Sequence, residues 1–147
     1  MRRREGMLIP LFFKLVLPLC IYPVGEMPSD ISLYSNCLNN VKKIEYVIEW
    51  EPLISEHFKE EDVAEVLTII YCESSGRPNA VNDNTNGTRD VGLFQFNDDT
   101  WAWLTPKLKI TSPRTDPVIS TKVASWLWYN DGKHHWYSSG HCWRNDA

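Results

Sequence analysis

The sequence predicts an α+β fold, mostly helical, with a small β-hairpin flanking a groove. Three observations predict it. Val63, Val66, Leu67 and Ile70 recur at i, i+3, i+4 and i+7, the pattern of a helix with one buried face. Ile119, Val123, Trp126, Leu127 and Asn130 mark a second such face. Between the two lies Asn86-Gly87, a hairpin turn pair, followed by the strand-forming bulk of Val91, Leu93 and Phe94.

Taken in order, the first 29 residues have a basic start, an apolar middle and a Gly/Pro/Ser exit, and 1–25 reads as a secretory signal or N-terminal hydrophobic segment. Lys14 and three prolines make it a poor spanning helix. A membrane tether through residues 7–25 is therefore the weaker expectation. Lipidation at Cys20 is disfavoured by the bulky Leu19 before it. Residues 26–48 mix Pro, Ser, Asn and Lys and are expected as a linker with at most one helical turn. The folded domain is expected over 49–147.

A short helix is expected from Glu51, with Pro52 at its tolerated first position and Trp50, Leu53, Ile54 and Phe58 on its apolar side. The next helix opens on Glu60, Glu61 and Asp62, favourable at the positive end of a helix dipole. Ser74, Ser75 and Gly76 end it, and Pro78 bars continuation. A polar cluster (Asn82, Asp83, Asn84, Asn86, Gly87) then leads through the turn to a Gly-Leu-Phe-Gln strand at 92–95. Gly92 signals close approach of the backbone to a neighbour, a ligand among the options. Trp101 and Trp103 precede a loop containing Pro and Lys. Asp116-Pro117 opens a helix through about Asn130, stopped by Gly132, and the aromatic tail is expected to be irregular. On the second helix Trp126 is assigned to the core, and for Trp136 and Trp143 the core is slightly favoured over a ligand face.

Composition removes some function classes. Net charge is −4, and four of the fifteen basic residues lie in the first thirty. No later Lys/Arg cluster exists, so a nucleic-acid footprint is missing. His134, His135, His141 and Cys142 lack the spacing of a structural zinc site, and no metal or cofactor is expected. Of the four cysteines, a bridge from Cys72 to Cys142 is preferred; closing a loop of about 70 residues adds roughly 4 kcal/mol in the chain-entropy picture. Loss of Cys20 with a signal would leave one of the remaining three cysteines unpaired, and the alternative is reduced thiols in a cytosolic protein.

Two carboxylates stand out because their surroundings should differ. Glu73 falls in the last turn of a buried helix, where burial and the negative helix end both disfavour its charge and raise its pKa. A carboxyl kept protonated near neutral pH suits a general acid. Asp90 falls among hydroxyl and amide side chains, which keep a carboxylate ionised. Two unlike carboxylates across a groove are the equipment for cleaving a glycosidic bond.

Glu73-Ser74, Ala80, Asn82, Asn84-Thr85, Gly87, Asp90, Gly92, Gln95 and Asn97 resemble, without a gap, the core motif of animal c-type lysozymes. Glu-Ser-Ser-Gly-x-Pro with Gly-Leu-Phe-Gln is also similar to bacterial soluble lytic transglycosylases. The Cys before Glu73 and the closing Trp-rich stretch ending in Cys resemble small secreted lysozyme-like domains of bacteria and phages. The eight-cysteine framework of c-type lysozymes is missing. The resemblance implies a lysozyme-like fold and a peptidoglycan-cleaving muramidase, with Glu73 as general acid and Asp90 as second carboxylate. It implies substrate binding by Asn82, Asn84, Gly92, Gln95, Asn97 and Trp101. A lytic transglycosylase using Glu73 alone, or a non-catalytic peptidoglycan-binding module, are the alternatives. The implied partner is the glycan strand, the expected location the cell envelope or exterior, and the expected state a monomer.

Overall fold

The computed structural model describes residues 31–144. The signal or tether expected at 1–25 lies outside the described residues. Among those described, no helix is long and apolar enough to cross a membrane.

Where a linker is expected, Ile31–Tyr46 form a 16-residue helix, α1. Its packing face is sparse: Cys37, Val41 and Ile44 fall at i, i+4 and i+7, and Ile44 is buried in the core. Polar neighbours hide this face from a reading by composition. Val47 is buried just beyond the helix. Lys43 donates through Nζ to the Cys142 carbonyl, tying α1 to the C-terminal segment, and burial lowers the Lys43 pKa. Cys37 is disulfide-bonded, so the expected unpaired thiol is not found among the described residues.

A 3₁₀ turn, Ile48–Trp50, leads into α2, Glu51–His57, with Pro52 in the first turn as expected. Helix α3, Glu60–Ser74, follows, and all four residues of its predicted face are buried. It packs against α1, α2 and the C-terminal helical segment, which makes it the centre of the domain. Each buried Val, Leu or Ile contributes about 1.5–3 kcal/mol by leaving water. The helix ends where Ser75 and Gly76 turn left-handed, at φ 52° and 74°. Trp50 Nε1 donates to the Gly76 carbonyl at 2.9 Å, and a Cβ on Gly76 would meet Val47 at 3.0 Å.

The expected hairpin is a three-stranded antiparallel sheet, β1 Val81–Asp83, β2 Arg89–Val91 and β3 Phe96–Asn97, in order β1-β2-β3. Asp90 pairs with Asn82 on one side and Asn97 on the other. The Gly-Leu-Phe-Gln strand is instead a turn between β2 and β3. Gly92 (φ 90°) and Gln95 (φ 51°) adopt left-handed backbone, which breaks the strand and puts Leu93 and Phe94 in the core. The close approach at Gly92 is to the protein itself: a Cβ there would lie 2.3 Å from the Arg114 carbonyl oxygen.

Helix α4, Asp98–Leu108, occupies the stretch read as Trp101, Trp103 and a loop. Asn97 caps it by accepting from Asp99 N at 3.1 Å, and Asp98 and Asp99 suit its first turn. Pro106 inside the helix obscured that signal. Helix α5, Pro117–Asn130, has the expected Asp116 cap, with Oδ1 accepting from Val118 N and Ile119 N. Its buried tryptophan is Trp128, while Trp126 is only partly buried, because Ala124, Leu127 and Trp128 turn the packed face by one residue. The tail is not irregular: Lys133–Ser139 form a 3₁₀ helix and Gly140–Trp143 a short helix, α6. Trp136 and Trp143 are both core residues.

Candidate active site

Glu73 is the penultimate residue of α3, at the end facing the turn at 92–95. Ser74 Oγ, buried, reaches both the Ile70 carbonyl at 3.1 Å and the Leu93 carbonyl at 2.9 Å, locking that helix end against the turn. Cys72, one residue before Glu73, is bridged to Cys142, 70 residues away, as expected. The bridge carries the C-terminal 3₁₀ segment onto the helix end. Ser139, three residues before Cys142, donates through Oγ to Glu73 Oε1 at 2.5 Å.

Burial pushes the Glu73 carboxyl up from 4.5 to about 7; the Ser139 hydrogen bond opposes this and the charge of Asp90 adds to it. Burial wins because one hydroxyl replaces only part of the lost hydration. The hydroxyl also serves both protonation states. When Glu73 is ionised, Ser139 donates to it. When Glu73 is protonated, the carboxyl donates to Ser139, whose own hydrogen can turn to the Trp136 carbonyl at 3.0 Å. Trp143 Nε1 donates to the same Oγ at 3.1 Å and fixes its place.

Asp90, on β2, accepts from Asn97 Nδ2 at 2.8 Å. Asn97 therefore caps α4 with its oxygen and orients Asp90 with its nitrogen. Asn97 Nδ2 and Asn84 Nδ2 both approach Thr88 Oγ1, at 2.9 and 3.2 Å, and that hydroxyl donates to Asn86 Oδ1 at 2.7 Å. Asn82 donates to Gln95 Oε1 at 2.7 Å, and Gln95 Nε2 donates to the Gly92 carbonyl at 2.9 Å. Arg114 clamps the sheet, donating to the Phe96 carbonyl at 2.6 Å and pairing with Asp98 at 2.5 Å. The Asp98 carboxyl is held below the usual range by the Arg89 backbone N–H and then by Arg114.

Glu73, Asp90, Gln95, Asn97, Thr100 and Trp136 line one cavity of about 170 Å³. Of the predicted site residues, Glu73, Asp90, Gln95 and Asn97 meet there. Asn82, Asn84 and Gly92 instead shape the sheet and turn that present Asp90. Trp101 packs at a tilt against Phe96, centroids 5.4 Å apart, and does not line the cavity. A larger cavity of about 370 Å³ lies between the end of α4 and α5, along Leu108, Ile110, Ile119, Lys122 and Trp126. It is lined by no carboxylate, whereas the smaller one holds Glu73 and Asp90. Sequence reasoning missed Ser139, Thr88 and Thr100. Only Ser139 left a trace, its nearness to the cysteine expected to bridge to Cys72.

If Ser139 stabilises the ionised form, Ser139→Ala is expected to raise the Glu73 pKa further. The alkaline limb of the activity profile should then move up by about one pH unit, the size of a lost charge-assisted hydrogen bond. A pH–rate profile of the variant checks this, and an unmoved limb would remove Ser139 from the proton balance.

The helical body, the three-stranded sheet and the cavity between them define a lysozyme-like α+β protein. A family model for the transglycosylase SLT domain matches residues 54–134, more than half the chain, and the chain belongs to that family, within the lysozyme-like superfamily. A lysozyme of Galleria mellonella is 32% identical over 103 residues, covering 65% of this chain and 82% of the relative. No solved structure matches. The protein is thus a lysozyme-like enzyme of the glycosidase or lytic transglycosylase type, acting on peptidoglycan.

Proposed function

We propose that the protein is a muramidase that hydrolyses the β-1,4 bond between N-acetylmuramic acid and N-acetylglucosamine. The observation that carries this is a Glu73 carboxyl with a pKa of about 7 in the cavity it shares with Asp90. Glu73 protonates the glycosidic oxygen as the bond to the muramic C1 breaks, and the leaving N-acetylglucosamine departs as the alcohol. Positive charge grows at C1, and the Asp90 carboxylate, oriented by Asn97, stabilises it. Water then adds at C1 and its proton returns to Glu73, which restores the acid.

The family match favours a second reading. In it the muramic 6-hydroxyl attacks C1, Glu73 takes its proton, and an anhydro end forms without a need for Asp90. Digestion of purified peptidoglycan followed by mass spectrometry of the muropeptides separates the two. Hydrolysis is expected to give reducing muramic ends, and exclusively 1,6-anhydromuramic ends would replace hydrolysis with the transglycosylase route. The Cys72–Cys142 bridge suits an oxidising compartment, which supports export to the envelope or exterior. Residues 1–25 as the secretory signal and a monomeric state belong to the same proposal, with a tether through residues 7–25 as the weaker alternative.

A further inference from the structure

We propose that Asp131, His134 and His135 form a binding site for a divalent transition metal, zinc foremost, beside the carboxylate cavity. Asp131 caps the C-terminal end of α5, and both histidines lie on the 3₁₀ segment that follows. Their candidate ligand atoms all lie within 4.8 Å of one another. Both rings turn Nε2 toward the same oxygen: Asp131 Oδ2 is 2.7 Å from His135 Nε2 and 3.6 Å from His134 Nε2. The two imidazoles lie side by side, tilted by 33° with centroids 4.2 Å apart.

Bonds of about 2.0–2.1 Å place tetrahedral zinc ligands about 3.3 Å from one another, and the two distances to Asp131 bracket that edge. Small shifts of the side chains bring all three to that edge, and His134, with its side chain 56% exposed, has room to turn. Electrostatics favour a cation as well. A carboxylate at a helix C-terminus adds to the negative potential of the last carbonyls. Among the described residues, no Lys or Arg pairs with Asp131. Lys133, the nearest candidate in sequence, turns instead to Glu65 at 2.6 Å and over the Trp128 ring at 4.4 Å. Two imidazoles and one carboxylate suit zinc, copper or nickel better than magnesium or calcium, and three protein ligands leave a position for water.

This set differs from the histidine–cysteine cluster visible in the tail, because Cys142 is spent in the disulfide and Asp131 supplies the third ligand. His135 also lines the cavity that holds Glu73 and Asp90, so a bound dication would stand at its wall.

The test is isothermal titration of zinc chloride into the tag-free, disulfide-intact chain at neutral pH. One saturable site in the micromolar range is expected, with no comparable heat from magnesium. His134→Ala and Asp131→Asn should each weaken binding about tenfold or more, since loss of even an outer-shell partner costs a metal site about 10–100-fold. His141→Ala, which removes an exposed histidine outside the set, should leave it unchanged. Circular dichroism of each variant confirms that the fold is kept. No saturable zinc binding below about 1 mM, or equal affinity in wild type and His134→Ala, overturns the site. Binding is read directly, so the result does not depend on whether or how the chain cleaves peptidoglycan.

Discussion

Glu73→Gln is expected to abolish wall lysis, lowering turnover by about 10²–10⁴, the range supplied by a positioned general acid. The substitution keeps the shape and leaves an oxygen that can accept from Ser139, so the fold should survive. It should in fact gain stability at alkaline pH. The Glu73 carboxyl rises from 4.5 to about 7 chiefly through burial, so the folded state prefers it protonated. That preference is fully present below about pH 4.5 and is lost as pH rises through 7. Above pH 7 the ionised group costs the fold at most about 3 kcal/mol, and less where water still reaches it. Gln carries no such charge. Thermal melts at pH 8 are therefore expected to show Glu73→Gln more stable than wild type, with the gap shrinking toward pH 4. A turbidity assay on bacterial walls reads the other half. If wild type binds walls and leaves them intact, the protein is a binding module and Glu73 is not an acid catalyst.

How much of this was legible in the sequence follows the range of the physics involved. Helices α2, α3 and α5 announce themselves through local apolar spacing and through Pro52 and the Asp116 cap. Helix α1 was missed because its packing face is a few residues set among polar ones, and what holds it is distant: the burial of Ile44 and the bond from Lys43 to Cys142. Helix α4 was missed for another reason. Pro106 sits inside it, and Asn97, expected from the resemblance to bind substrate, caps the helix while orienting Asp90. The turn at 92–95 looked like a strand because Leu93 and Phe94 are strand formers, yet left-handed backbone at Gly92 and Gln95 lets both enter the core. In the site, the step from Glu73 to Asp90 is local enough to read. Ser139 is not, since 66 residues separate it from the carboxyl it touches, and the disulfide together with the burial of Trp136 and Trp143 brings it there.

Asp90→Asn divides the two chemistries that the fold can support. The asparagine oxygen can still accept from Asn97 Nδ2, which lies 2.8 Å from Asp90 Oδ1, so the sheet should be undisturbed and only the charge lost. In a hydrolase that charge faces the positive centre growing at C1, and its removal is expected to lower turnover by about 10²–10³, as losing one preorganised electrostatic partner does. The pH profile should respond too. Asp90 raises the Glu73 pKa through its charge, so the alkaline limb of the variant is expected to move to lower pH. In the transglycosylase route the sugar's own 6-hydroxyl closes onto C1, and the carboxylate is dispensable. Steady-state rates on purified walls, taken across pH, decide between them. An Asp90→Asn variant that lyses walls at nearly the wild-type rate would leave Glu73 as the single catalytic carboxylate and Asp90 as a sheet residue held by its neighbours.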